Sequence, residues 1–222
     1  MICIELAAKH LGMNLDRALV VVHGFGNVGL VTAKHLAKKG CKIIAVSDST
    51  SSIDNSKVID VNAAIDNKAK TGKVRSFPGT EPITNDELLS LKCDVLVPAA
   101  FEQVIHVGNA EKVKTRLIIE GANGPIATEA ARILYDKGIF IVPDTLANAG
   151  GVIVSYFEWV QGTQYFFWCE DEVNQHLTDV MVNAFAEVLE ISKKRKVEMR
   201  DAAYMLAINR VAKAMMIRGI YP

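Results

Sequence analysis

Short apolar runs alternate along the chain with stretches whose hydrophobic residues recur every three or four positions. Ile4, Leu6, Ala7, Ala8 and Leu11 have helical spacing and Gly12 follows as a stop, so the chain opens inside a helix. Residues 18–22 form a valine-rich run of the kind buried on both faces of a sheet. A helix is predicted over 28–39, with the small side chains of Gly29, Thr32, Ala33 and Ala37 beside Leu36 on one face, and Gly40 closes it. Residues 42–47 read as a second strand and 57–69 as a helix stopped by Gly72. Thr84 and Glu87 have the spacing of a capping box ahead of Leu88 and Leu89. Further strands are expected at 94–97, 117–120 and 139–142, the last two separated by a helix over 129–137 that Gly138 ends.

This alternation predicts an α/β fold: a Rossmann-like, doubly wound, mostly parallel sheet with helices on both faces. The last third differs. Val173, Leu177, Val180, Met181, Ala184, Phe185 and Val188 follow one long helix, and Tyr204, Ile208, Val211 and Met215 another, giving a C-terminal helical extension over about 165–222. Lys193-Lys194-Arg195-Lys196 falls where the first of these ends, and positive charge there complements the helix dipole. Residues 1–13 read as a connecting helix from a missing N-terminal domain, and 14–222 as the sheet domain with its extension.

Composition narrows the function. Hydrophobic residues are 50% and charged residues 23%, and 25 Lys and Arg balance 25 Asp and Glu, so no basic field favours nucleic acid or an anionic membrane. No apolar run approaches the roughly 20 residues needed to span a bilayer. Cys3, Cys41, Cys93 and Cys169 are scattered, without metal-ligand spacing, and read as reduced core thiols of a cytoplasmic protein. The five histidines are likewise dispersed, and no metal site is expected.

The sharpest chemical signal is Gly24-Phe25-Gly26-Asn27-Val28-Gly29, a G-x-G-x-x-G between a predicted strand and a predicted helix. Gly24 permits the tight turn, Gly26 leaves no side chain between backbone and phosphate, and Gly29 lets helix and strand approach. The helix N-terminus then directs free N–H groups at a pyrophosphate. Asp48 lies at the end of the next strand, 22 positions beyond Gly26, near the spacing at which an acid reaches the adenosine ribose of NAD. Its competing reading is the start of an Asx turn. Ser49 and Ser51, with Lys42 or Lys57 nearby, leave NADP open.

Asn123, in Glu120-Gly121-Ala122-Asn123-Gly124-Pro125, and Asn148, ahead of Ala149-Gly150-Gly151, each follow a predicted strand. There a carboxamide can hold a nicotinamide amide or a substrate carboxylate, or simply form a turn in the left-handed conformation. Val152 and Ser155 share one face of the helix that follows, suited to a methylene chain with a polar end; alternatively Ser155 bonds a carbonyl within its own helix. Phe157, Trp159, Phe166, Phe167 and Trp168 form an aromatic region read as core or inter-subunit packing.

These strings together resemble the C-terminal half of the glutamate dehydrogenases: GFGNVG at 24–29, SDS at 47–49, FPG at 77–79, VPAA at 97–100, EGANGP at 120–125, PDTLANAGGVIVSYFEWVQ at 143–161, then AYMLAINRVAKAM and the terminal RGIYP. The resemblance implies an NAD- or NADP-dependent oxidoreductase, with NAD favoured by Asp48, that interconverts L-glutamate and 2-oxoglutarate plus ammonia. It implies a homo-hexamer when full length, with a fragment that is a monomer or dimer. Cofactor contacts would fall on Gly24, Phe25, Gly26, Asn27, Val28, Gly29, Asp48, Ser49, Ala99, Ala100, Asn123 and Asn148. Substrate contacts would fall on Asn148, Val152 and Ser155, whose hydroxyl would recognise the glutamate side-chain carboxylate.

This chain departs from the family's pattern at Ser51-Ser52, where a glycine pair is usual, and at 101–105. The segment between Trp159 and Val173 is too short for the long helical antenna of animal enzymes. The family's catalytic lysines, in a G-G-x-K-G-G context, and its catalytic aspartate lie on an N-terminal domain, and nothing here matches them. The chain is therefore expected to bind cofactor without turning over glutamate by itself. The alternatives are a non-catalytic dinucleotide-binding or regulatory subunit, or a dehydrogenase of another amino acid.

Overall fold

In a computed structural model of the chain, residues 1–55, 58–75 and 77–219 are described. Apart from the first two residues, they divide into two units, the first over 3–148 and the second from Ala149 onward.

The first unit opens with α1 (Ile2–His10), which buries Cys3, Ile4, Ala7 and Ala8 and is followed by Gly12 at φ +60°. Then come β1 (Leu19–His23), α2 (Asn27–Lys38), β2 (Lys42–Ser47), β3 (Ser52–Asp54), α3 (Val61–Thr71), β4 (Glu81–Ile83), α4 (Asn85–Ser90), β5 (Val95–Pro98), β6 (Leu117–Ile119), α5 (Thr128–Asp136), β7 (Phe140–Val142) and the single turn α6 (Asp144–Ala147). The seven strands form one sheet in the order β4-β3-β2-β1-β5-β6-β7. The five strands from β2 to β7 in that order pair in parallel, while β3 and β4 are antiparallel additions at the β2 edge. The expected doubly wound, mostly parallel sheet is thus present.

Why the elements form is visible locally. The valines of β1 are fully buried and alternate: Val22 faces α2, whose packed side is Gly29, Ala33 and Leu36, while Val21 joins Leu96, Ile118, Leu88, Ala130 and Leu134 on the opposite face. The capping box forms as the sequence predicts, with Thr84 Oγ1 accepting from the Glu87 N–H and Glu87 accepting from the Thr84 N–H at 2.7 Å. The helix expected over 57–69 begins at Val61, because the Asp60 side chain accepts the Ala63 N–H and caps it there; Lys57 lies outside the described residues. Strands β3 and β4 were not expected. Each is three residues long, and Pro82 sits on the edge strand β4, where a missing N–H costs no central ladder bond.

The second unit consists of α7 (Gly150–Gln164), α8 (Glu170–Arg195) and α9 (Met199–Arg218). Phe157, Met181, Phe185, Val188, Met199 and Ala202 are its buried residues. Trp168 meets the Phe157 ring edge-on at 5.5 Å and His176 at 4.8 Å, whereas Trp159, Phe166 and Phe167 are exposed, so only part of the aromatic region is core. The basic run ends α8, with Lys196 in the left-handed conformation as its cap. On α9 the periodic positions Tyr204, Ile208, Val211 and Met215 are exposed.

The cysteine expectation needs one correction. All four are free thiols, but Cys169 is exposed and serves as the N-cap of α8, its N–H donating to Glu172 at 2.8 Å. A thiol can take the role a serine usually fills, and spacing alone does not reveal the substitution. No helix among the described residues is long and apolar enough to cross a membrane.

Leu134 is fully buried at the centre of the α4–α5 side of the sheet. Leu134→Ala is expected to lower unfolding free energy by about 2–5 kcal/mol, from lost transfer energy and a residual cavity. Urea denaturation checks this, and a loss below about 1 kcal/mol would mean that the site collapses around the truncation.

Candidate functional site

The chain leaves β1 for β2 on one side of the sheet and later returns to β5 on the other. The carboxyl ends of β1 and β5, where His23 pairs with Pro98, are therefore the switch point at which open α/β sheets bind ligands. Three loops gather there. Gly24 adopts φ +102°, and a side chain on it would meet Ala99 and Ala100 backbone at 2.8 Å. Its N–H donates to the buried Ser47 Oγ at 2.9 Å, which ties the turn to the end of β2. Gly121 and Ala122 both donate to the Pro98 carbonyl at 3.0 Å. A Cβ on Gly121 would stand 3.0 Å from Ala99 Cβ and 3.3 Å from Val28 Cγ1, so the 24–29, 98–100 and 120–124 segments are in mutual contact.

The glycines divide the work as the sequence implies. A Cβ on Gly29 would lie 1.8 Å from the Gly24 carbonyl oxygen, so this position sets how closely α2 starts against the turn. Around Gly26 a Cβ would meet nothing within 4 Å, which leaves the space a phosphate needs. The first helical bond of α2 runs from the Leu30 N–H to the Gly26 carbonyl at 2.8 Å. Among the described residues the N–H groups of Gly26, Asn27 and Val28 donate to no carbonyl. Gly26, Asn27 and Val28 are exposed, at the positive end of the helix dipole, an arrangement that can receive an anion.

Asp48 ends β2 and is largely committed to its own loop. Its Oδ1 accepts from the Thr50 N–H, the Thr50 hydroxyl and the Ser51 N–H, and its Oδ2 accepts from the Val74 N–H at 2.7 Å. Partial burial opposes ionisation, but the bonds from Thr50, Val74 and Ser51 outweigh it and hold the pKa below the ordinary aspartate value. The Asx turn is therefore real, and one Oδ2 lone pair remains for a further donor. Ser49 is exposed beside it.

Asn123 and Asn148 are brought together, the Asn148 amide donating to Asn123 Oδ1 at 2.7 Å. Neither is left-handed: Gly124, at φ +53°, makes that turn, so the simple turn-former reading fails for both. Behind them, Glu120 Oε2 accepts the Asp144 N–H at 2.7 Å and Asp144 Oδ2 accepts the Gly124 N–H at 2.8 Å, fixing the loop after β6 to the start of α6.

In the second unit, Val152 is 75% exposed and Ser155 is exposed three positions on, on the same side of α7. Thr178 bonds the carbonyl one turn back, at Asn174, but Ser155 does not do so among the described residues. Its hydroxyl is therefore available to a ligand.

Ser47, Glu120 and Asp144 were legible only as letters of motif strings and Lys68 not at all, because each works through a partner distant in sequence. His23 is 2% exposed directly before the glycine turn, and burial pushes its imidazole pKa down. No cluster of metal-ligating side chains occurs among the described residues.

Two outcomes follow from this geometry. Gly29→Ala forces a methyl group into backbone and should cost about 1–3 kcal/mol or more in a denaturant titration, while Gly26→Ala, with open space around it, should be nearly neutral for stability. For Asp48 the lowered pKa means that its loop bonds stabilise the fold fully above about pH 3.9 and are lost as pH falls through the folded value. The stability difference between the natural chain and Asp48→Asn should therefore shrink below about pH 4, and a constant difference across that range would contradict it.

This arrangement has known counterparts. The chain is 51% identical over 222 residues to the glutamate dehydrogenase of Thermotoga maritima, covering all of this chain and 53% of that protein. It is 44% identical over 218 residues to a Staphylococcus aureus NAD-specific glutamate dehydrogenase, covering 98% and 52%. Among solved structures, the hetero-hexameric glutamate dehydrogenase of Thermus thermophilus in its Leu-bound form superposes with a TM-score of 0.93 at 31% identity, covering all of this chain and 52% of that one. The glutamate dehydrogenase of Peptoniphilus asaccharolyticus does so at 0.83 and 32%. The chain spans about half the length of the relatives it matches. With residues 1–219 matching the family model, the chain belongs to the glutamate/leucine/phenylalanine/valine dehydrogenases.

Proposed function

We propose that this chain is the cofactor-binding part of an NAD(P)-dependent glutamate dehydrogenase, acting in the reversible oxidative deamination of L-glutamate to 2-oxoglutarate and ammonia. The observation that carries the reading is the cradle at the switch point: three loops converge on open space at Gly26, and the α2 N-terminus supplies N–H groups that no carbonyl uses among the described residues. These residues fit a dinucleotide. Gly24, Phe25, Gly26, Asn27, Val28 and Gly29 would hold the pyrophosphate, with Asp48 and Ser49 at the adenosine ribose, Ala99 and Ala100 along the dinucleotide, and Asn123 and Asn148 toward the nicotinamide. When bound, the nicotinamide supplies the hydride chemistry; the chain's own groups orient it.

Asn148, Val152 and Ser155 are the proposed substrate contacts. Val152 offers apolar surface to the methylenes and Ser155 a free hydroxyl to the distal carboxylate, which selects glutamate over leucine, phenylalanine or valine. The lysines and aspartate that the family resemblance assigns to catalysis match nothing here, so turnover needs residues outside this sequence. The full-length protein is proposed to be a homo-hexamer, and this chain alone a monomer or dimer.

Calorimetric titration of the chain with NADH and NADPH is expected to show binding, tighter for NADH because Asp48 disfavours a 2′-phosphate. Absence of binding by either would defeat the reading. No glutamate-dependent reduction of NAD is expected from the purified chain. Sustained turnover that Ser155→Ala abolishes would show the catalytic groups to be present.

A further inference from the structure

Lys68 connects α3 to the glycine turn by a contact that neither the motif nor the family resemblance marks. On α3 it follows Val61 and Ala64, both buried, at the i, i+3, i+7 spacing of one helix face, so a lysine occupies the packed stripe where an apolar residue is usual. Asp60 caps the start of this helix and Gly72, at φ +76°, ends it. From this fixed base the Lys68 ammonium donates to the Phe25 carbonyl at 2.6 Å and stands 5.8 Å from the centroid of the buried Phe25 ring.

The Phe25 carbonyl and the Gly26 N–H belong to one planar peptide, in which they point in opposite directions. Holding the carbonyl toward α3 therefore turns the Gly26 N–H away from α3. That N–H has no acceptor among the described residues. A flip of this peptide turns on Phe25 ψ and Gly26 φ, and Gly26, with no side chain and nothing within 4 Å of where a Cβ would stand, accepts either orientation. A flipped peptide would present a carbonyl oxygen to an incoming phosphate in place of a donor.

We propose that Lys68 is a positioning residue of the dinucleotide site, its ammonium locking the Phe25–Gly26 peptide with the N–H facing the pyrophosphate. The cofactor part of this inference rests on the reading above; the lock itself is a property of the unliganded chain. It acts on the pyrophosphate common to both cofactors and not on the 2′-phosphate.

The test compares the full chain with Lys68→Met and Lys68→Arg. In nitrogen-15 relaxation-dispersion NMR without ligand, Lys68→Met should show millisecond exchange or a second signal at the Gly26 and Asn27 amides, absent from the natural chain and from Lys68→Arg. In calorimetry, Lys68→Met should weaken NADH and NADPH by the same factor, about tenfold, and Lys68→Arg should restore both. If the methionine variant fails to fold, Lys68→Ser, too short to reach Phe25, gives the same comparison. Unchanged Gly26 and Asn27 signals overturn the proposal, as does unchanged affinity or a loss confined to NADPH, which would mean direct contact with the 2′-phosphate. If the natural chain binds neither nucleotide, the dinucleotide reading fails, while the amide signals still decide whether Lys68 locks the turn.

Discussion

The approach of Gly29 to the Gly24 carbonyl is the constraint on which the site depends. With a Cβ at 1.8 Å from that oxygen, α2 could not begin where it does, and its free N–H groups would not face the space beside Gly26. Gly24 is held from two other directions, by the Ala99-Ala100 backbone and by Ser47 Oγ. The turn is thus bounded by β1, β2, β5 and α2 together, and its geometry follows from how closely those elements pack.

The same economy extends to the neighbouring loops. Pro98 lacks an N–H to give, but its carbonyl accepts two, from Gly121 and Ala122, and so draws the loop after β6 against α2. Glu120 and Asp144 then fix that loop to the residues after β7 through backbone N–H groups, using carboxylates where a purely apolar packing would leave donors unsatisfied. Asp48 does the equivalent at the other side of the turn, organising residues 48–51 and 74 around one carboxylate. Site and scaffold are therefore not separable here: groups that could meet a cofactor also hold the loops.

Much of the first unit could be read from residue patterns because its signals are local. Valine-rich strands bounded by turns, the small-residue face of α2, the Thr84–Glu87 box and the glycine stops at 12, 40, 72 and 138 each act within a few positions. Strands β3 and β4 were not legible, since three residues on a sheet edge have no period to display and owe their conformation to pairing. The faces of α9 mislead for the opposite reason. Their periodicity is strong, yet Ile208, Val211 and Met215 are exposed in this chain, because hydrophobic spacing reports that a face is apolar and not what covers it.

The sequence by itself determined the kind of site: a G-x-G-x-x-G between strand and helix, an acid after the next strand, and asparagines after later ones, all chemistry set by residue type and short spacing. The tertiary structure decided which readings of those residues hold. It paired Asn148 with Asn123 and excluded the left-handed turn for both, and it showed Asp48 to be an Asx-turn former with capacity left over. It left Ser155 without a bond to the carbonyl a turn back among the described residues, and it placed Lys68 on the Phe25 carbonyl from 43 positions away. Hydrogen bonds of that range depend on how separate elements pack, and no spacing along the chain encodes them.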